Sequence, residues 1–471
     1  MGAGAAVDLK VELEDLLGPG GVLSDPADTE AYATGWRYGK GRALLVARPA
    51  STAEVAAVMA RCAARGVRVL AQGANTGLVG ASVPDGGGGM VVLGTERLDR
   101  RLEVDPTDRA AVAGAGVRLS ALNAALAPHG LHFPVDLGAD PCVGGMVATN
   151  TGGTRLLRHG DVRRNLLGVE VVLADGTVVE ALSPLRKNNA GLDWKQLFTG
   201  TTGLFGIVTA AALQVSPLPR QVAAALVAVR DGEAALALLR AMETGLGETL
   251  SAFEAVSAGA LTPVLRHLPN PFGGPGDVPP YAVLVEAASS LPREALDLED
   301  ALQGAVGAHL EEGGDGILDA RFGRAEAFWA LRHRVSECLR EEGRVLAFDI
   351  AVPRSSLAAF TEAARELVAG RWPWMSVRDF GHWGDGGTHL NLVWREEEAP
   401  GPGEDWIPAV QAAVYALAVE GFRGSYSAEH GVGPHNQRFF DLFTPAPVKA
   451  AGAALRAHFD PAGLLGTARL W

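Results

Sequence analysis

The run AQGANTGLVGASVP, residues 71–84, closes a short β-like stretch, VRVLA (67–71), and leads into no obvious helix. Its glycines let the backbone take φ > 0 and turn several N–H groups inward, the geometry of a nest for phosphate or pyrophosphate. The spacing is not GxGxxG, so the dinucleotide fold built on that fingerprint is excluded. Taken alone, the run reads first as an ordinary tight loop. Two further stretches shift the reading: PVDLGADPCVGGMVATNTGG (134–153) and GTTGLFGIVT (200–209) repeat the pattern of small residues able to lie against a flat or phosphorylated ligand. Three such loops in one half-chain imply a long ligand lying across one domain.

Outward from that loop, TAEVAAVMARCAAR (52–65) carries apolar positions at helical spacing, opening with Thr and Glu and closing at Gly66. MVVLG, RLEVD and AAVAGAGV follow as short strands, LSALNAALAPHG as a helix, and LLGVEVVLADGTVVEA as a hairpin turning at Asp175-Gly176. This mixture predicts an α+β first half ending near SPLPR (216–220). The second half alternates helices (EAALALLRAMETGL, AEAFWALRHRVSECLREEG, SSLAAFTEAARELVAG with a Ser cap and a closing glycine) with strands (YAVLVEAASS, VLAFDIAVP). Pro/Gly-rich pieces at 270–280 and 399–403 read as surface loops.

The 471 residues suffice for several domains, and 48% hydrophobic with 20% charged residues is an ordinary globular composition. A net charge of −13 without a dense basic run argues against nucleic acid. Cys62, Cys142 and Cys338 are scattered, which excludes a disulfide framework, an iron–sulfur cluster and a thiolate zinc site, and suits a cytoplasmic protein. The N-terminal MGAGAAVDLKVELEDLL carries charges where a signal peptide needs an apolar core, and no membrane span is expected.

GHWGDGGTHLNL (381–392) sets a histidine at each end of a glycine turn. Alternation in THLNLVW puts His389, Asn391 and Val393 on one strand face and Leu390, Leu392 and Trp394 on the other. His382, seven residues before His389, would point away along a straight strand, but the turn can fold it back. Two imidazoles side by side suit a divalent metal; two loop histidines are the competing reading. In SYSAEHGVG (425–433), Glu429 could complete a two-histidine, one-carboxylate set and His430 could act as a general base. A helix start with an incidental histidine is the alternative there.

RVLAQGANTGLVGASVP, GGMVATNTGGTRLLRHGDVRRNLLGVEVVLADGTVV, GHWGDGGTHLNL and SAEHGVG, in that order, resemble the FAD-linked D-2-hydroxy-acid dehydrogenases of the vanillyl-alcohol-oxidase superfamily, of the D-2-hydroxyglutarate and D-lactate type. The resemblance runs from about residue 40 to the C-terminus. It implies an α+β fold: an N-terminal segment (1–39), a two-subdomain FAD-binding domain (40–217), an α+β substrate-binding cap (218–424), and a segment returning to the flavin (425–471). Matching motif to motif, Gly73, Ala74, Asn75, Thr76 and Gly77 would hold the FAD pyrophosphate. Pro134, Gly144, Gly145, Thr149 and Asn150 would line the cofactor, and Gly203 and Ile207 would sit near its adenosine half. His382, His389 and Glu429 match the family's metal ligands (usually zinc, with manganese the alternative), and His430 its general base. Arg332 falls where the family binds the substrate carboxylate, Ser336 where it has a hydroxyl, and Asn391 at a substrate contact.

The implied reaction is oxidation of a D-2-hydroxy acid, with an electron-transfer flavoprotein or a quinone as acceptor and the oligomeric state, homodimer included, left open. Three departures stand out. Ala347 replaces a family lysine, which puts a second substrate carboxylate in question; Gly387 replaces an asparagine; and LLGTARLW replaces the usual ending. The pyrophosphate loop has no histidine, so FAD is expected to bind non-covalently. A flavin oxidase or dehydrogenase for another hydroxy acid or alcohol, or a flavoprotein subunit of an electron-transfer complex, are the competing functions.

Overall fold

The computed structural model describes residues 3–274, 276–311, 313–314 and 316–471, with side chains from residue 6 onward except at 404 and 405. Met1 and Gly2 of the expected N-terminal segment, and residue 275 of the expected 270–280 loop, lie outside them. Two compact units divide the chain: Met1–Gly153, Gly160–Leu218 and Glu429–Trp471 form the first, and Thr154–His159 with Pro219–Ala428 the second.

Among the described residues the first unit holds two small sheets and a two-stranded pairing of Leu131–His132 with Ser216–Pro217. In one, Ala43–Ala47, Met90–Gly94 and Val69–Gln72 run parallel, with Val22–Leu23 antiparallel at the edge. Met90–Gly94 is buried at every position, as an unbroken apolar run in a parallel sheet must be. Helix Thr52–Ala64 covers the sheet through Val55, Val58, Met59 and Cys62. Its cap is Ser51, whose hydroxyl accepts the Glu54 N–H, one residue before the Thr52 expected from sequence. Helix Ala3–Leu17 adds Leu9, Leu13 and Leu17 to the same core. The second sheet is antiparallel, in the order Leu102–Asp105, Ala110–Gly114, Ile207–Gln214, Leu166–Val172, Val178–Ala181, and includes the expected hairpin with Gly176 at φ 91°. Helix Val143–Thr149 packs on it, and Phe459 from the last segment enters its core beside Phe198 and Phe205.

The second unit is a seven-stranded antiparallel sheet with helices. In chain order the strands and the helices between them are β1 (Gln221–Val229), α1 (Gly232–Leu246), β2 (Leu250–Ser257), α2 (Ala258–Val264), β3 (Tyr281–Ser289), α3 (Leu298–Glu311), β4 (Ile317–Gly323), α4 (Ala325–Glu342), β5 (Arg344–Ala351), α5 (Leu357–Arg371), β6 (Ser376–Gly381) and β7 (Gly387–Trp394), with a further helix at Gly403–Ala416. The strand order is β4-β1-β3-β2-β6-β7-β5. Helix α5 runs one residue past the expected stop at Gly370, because the Trp372 N–H still bonds the Val368 carbonyl; the Ser356 hydroxyl makes no capping bond.

Residues paired across neighbouring strands share a face. The register therefore lines up Glu286, Glu254, Phe380 and Arg378, His389 and Asn391, and Asp349 and Ala347 on one side of the sheet. Helices α2 and α4 pack on that side through Leu261, Val264, Trp329, Val335 and Leu339, so Val393 and Asn391 are buried as deeply as their neighbours on the opposite face.

Candidate active site

The turn between β6 and β7 brings the two histidines together. The His382 carbonyl accepts the N–H groups of Asp385 and Gly387, at 3.1 and 3.0 Å, and reverses the chain within five residues. Gly381 (φ 149°) and Gly386 (φ 97°) adopt backbone conformations that L side chains rarely take. A Cβ at Gly381 would lie 3.1 Å from the His389 nitrogen. The imidazole centroids end 5.1 Å apart, edge to face.

Beneath His382 lies a residue the sequence reading missed. Glu254, in the middle of β2 and 1% exposed, lies 2.6 Å from His382 Nδ1 and accepts the Arg332 Nε–H at 2.6 Å. Burial alone would push this carboxyl up; the charges of His382 and Arg332, with hydrogen bonds from both, reverse that and hold it at about 2. An ionised carboxylate only accepts, so His382 carries its proton on Nδ1 and turns Nε2 outward. Arg332 is stacked 4.6 Å over the Phe380 ring, so its guanidinium is fixed on one edge by Glu254 and on one face by an aromatic. Its terminal nitrogens remain as the fork that can meet a carboxylate. Ser336, one turn on, is exposed.

Asn391 sits across from Ala347 on one side and Arg378 on the other. Its amide N–H groups donate to the His389 and Arg378 carbonyls, at 3.0 and 3.3 Å, leaving the side-chain oxygen as the atom it presents. A second buried acid on this face, Glu286, grips Arg155 through both oxygens (3.0 and 3.1 Å) and accepts the Trp329 indole N–H at 2.7 Å. Arg155 belongs to the short excursion Thr154–His159, which follows the glycines of the 134–153 stretch directly.

Glu429 and His430 open the last segment of the first unit. The stretch before them pairs with the end of β5: the Ser425 and Ala428 N–H groups donate to the Ala351 and Asp349 carbonyls, at 2.7 and 3.3 Å. Asp349 is the cross-strand partner of His389, and Glu429 is one peptide beyond Ala428. The chain here is bent and irregular, not the start of a helix. After His430, Asn436 fastens the loop, accepting the Gly433 N–H and donating to the Gly431 carbonyl, both at 2.8 Å. Gly433 fits so closely on the 71–84 loop that a Cβ would fall 2.4 Å from the Val79 oxygen.

In that loop Asn75 holds φ 54°, donating to the Thr34 carbonyl at 2.8 Å and accepting from Ser82 at 2.9 Å, so Gly73–Gly77 is shaped by its own side chains. Gly73 passes Cys142 at 3.3 Å from where a Cβ would be, while nothing within 4 Å would meet one at Gly145. Gly144 abuts Ala115, and Pro134 is buried. Asn150, at φ 51°, is tied to Asp161 at 2.7 Å and to the Arg163 N–H at 2.8 Å. The Thr149 hydroxyl donates to the Gly145 carbonyl at 2.9 Å. Gly203 turns at φ 78°, but the Ile207 side chain is 1% exposed within the core, so only its backbone is left to meet a ligand.

Residues 43–182 match the FAD binding domain, and residues 218–469 the C-terminal domain of FAD linked oxidases. The chain belongs to this family. It is 36% identical to the mitochondrial D-2-hydroxyglutarate dehydrogenase of Bos taurus, over 95% of this chain and 80% of that one. The D-2-hydroxyglutarate dehydrogenase of Xanthomonas citri pv. viticola is 32% identical over 95% and 93% of the two chains. Among solved structures, p-cresol methylhydroxylase with substrate bound superposes with a TM-score of 0.75 at 14% identity, covering 98% of this chain and 96% of the other. That likeness is one of fold, the vanillyl-alcohol-oxidase type. No helix among the described residues is long and apolar enough to cross a membrane.

Proposed function

We propose that the protein oxidises a D-2-hydroxy acid to the 2-oxo acid, using FAD as the electron acceptor. The observation that carries this reading is the Arg332–Glu254–His382 chain beside His389, together with curated relatives named for that reaction. Arg332 binds the substrate C1 carboxylate and sets the orientation of the α-carbon, with Ser336 beside it. Asn391 contacts the substrate, and His430 takes the hydroxyl proton as the α-hydrogen departs as hydride. FAD, when bound, supplies the two-electron acceptor, held non-covalently by Gly73–Gly77, Gly144, Gly145, Thr149, Asn150 and the backbone near Gly203.

The donor set fits a divalent cation: two facing imidazoles, one with its Nδ1 claimed by a buried carboxylate, the pairing that orients histidine ligands. His382, His389 and Glu429 would hold zinc or manganese, which as a Lewis acid lowers the pKa of a bound hydroxyl. In this reading residues 40–217 carry FAD, 218–424 carry the substrate, and 425–471 bring His430 back to the flavin. The acceptor is an electron-transfer flavoprotein or a quinone. The location is cytoplasmic, where Cys62, Cys142 and Cys338, all buried free thiols, stay reduced.

The test is anaerobic. Flavin absorbance is followed on adding D-2-hydroxyglutarate, D-malate, D-lactate and D-glycerate in turn, before and after chelation. Bleaching by one acid, lost on chelation and restored by zinc or manganese, supports the reading. An FAD-loaded protein that none of the four bleaches would overturn it.

A further inference from the structure

At the end of β6 and β7 remote from the paired histidines, a cavity of about 570 Å³ is lined by Arg266, Trp374, Ser376, Arg378, Trp394 and Arg395, among others. Two hydrogen-bond donors buried at this cavity have no acceptor among the described residues: Arg378 Nε and Trp374 Nε1. Leaving such donors buried and unmet is costly, so a protein rarely places two on one cavity wall without a ligand to meet them. The acids nearby are largely engaged elsewhere. Glu342 pairs with Arg266, Glu341 lies 2.7 Å from His267 Nε2, and Glu398 stands exposed. Among the described residues no carboxylate lies within ion-pair distance of Arg378 or Arg395.

The position of Arg378 is built in. Gly259 of α2 lies so close that a Cβ there would fall 2.4 Å from Arg378 Nη1 and 2.8 Å from its Cδ. A missing side chain on the helix makes the berth for this guanidinium. We infer that the cavity is a binding site for a small carboxylate, distinct from the Arg332 site. The carboxylate spans the Arg378 fork, accepts the Trp374 indole N–H, and has Arg395 as a second cation. Planar guanidinium against planar carboxylate is the pairing that satisfies an Nε and an Nη donor together. The site also touches the catalytic strands, because the Arg378 carbonyl accepts from the Asn391 amide.

The inference stands apart from the proposed reaction and is tested without turnover. Succinate and, separately, inorganic phosphate are titrated calorimetrically into the FAD-loaded protein and into Arg378→Met, Gly259→Ala, Trp374→Phe and Arg332→Ala variants. Saturable succinate binding is expected, weakened about tenfold or more in Arg378→Met, since a hydrogen bond to a charged group is worth about that much. Gly259→Ala, which keeps the charge but takes its berth, is expected to weaken binding similarly, and Trp374→Phe several-fold. Arg332→Ala should keep this binding. No saturable heat with succinate, binding of phosphate alone, or binding lost in Arg332→Ala but kept in Arg378→Met would each overturn the inference.

Discussion

The carboxylate of Glu254 lies 2.6 Å from Nδ1 of His382, a residue 128 positions further along the chain, and both are buried. The other oxygen of the same carboxylate holds Arg332 Nε, so one acid fixes both the His382 ring and the Arg332 guanidinium. Its low pKa keeps it ionised throughout the working pH range.

Glu254→Gln keeps the shape but loses the charge and one acceptor. Orienting partners of metal ligands typically contribute 10–100-fold in metal affinity or activity, and about that loss is expected here. Chelator titration should show looser metal, and KM should rise because Arg332 has lost its anchor. FAD content should match the parent. Unchanged metal affinity and unchanged KM together would remove Glu254 from the site.

His389→Ala should lose both bound metal and substrate-driven flavin bleaching while keeping FAD. Elemental analysis alongside anaerobic spectroscopy tells the two apart. An active, metal-free variant would sink the metal assignment and leave the flavin chemistry in place.

Ala347 faces Asn391 across β5 and β7, on the same side as His389. Ala347→Lys places a second cation beside Asn391, across from Arg378. The expected result is about tenfold better kcat/KM for D-2-hydroxyglutarate relative to D-lactate, the size of one charge-assisted contact. A ratio that does not move would mean position 347 does not face the substrate's distal end.

His435 stacks on Tyr38 with ring centroids 3.6 Å apart. Burial, then the nearby Arg37, Arg438 and His430, push its pKa down to about 4. The unfolded chain takes up a proton near pH 6.5 and the folded one only near 4. Between those values the unfolded state therefore binds more protons, and stability falls as pH falls. The full cost is about 3 kcal/mol, on the order of two and a half pKa units. His435→Phe, which keeps the stack, should flatten the urea midpoint between pH 6.5 and 4. A variant with the parent's pH dependence would assign that acid sensitivity elsewhere.

What the sequence made legible follows from where the information lies. His382 and His389 could be read because the residues that join them, the glycines of one turn, sit between them in the text. In the first unit Val69–Gln72, Met90–Gly94, Leu102–Asp105, Ala110–Gly114 and the hairpin were plain from apolar patterning and Asp-Gly punctuation, but Ala43–Ala47 and Ile207–Gln214 were not, nor was the direction of pairing. Glu254 and Glu286 were not, because LSAFEAVS and YAVLVEAAS each show a single acid in a half-apolar strand, where the usual reading is a solvated position. Their partners, Arg332, His382, Arg155 and Trp329, meet them only once seven strands are in register. Ile207 shows a finer limit: the text places it beside a glycine loop but does not show that its side chain packs into the core, leaving only its backbone to meet a ligand.

The chain passes from one compact unit to the other after residues 153, 159, 218 and 428. A ribosome thus releases every residue of the second unit before the first has received Glu429–Trp471. Until Phe459 emerges, Phe198 and Phe205 wait without their aromatic neighbour. The order of synthesis therefore completes the second unit first, and a nonsense codon between Glu429 and Phe459 removes core from a unit begun hundreds of residues earlier.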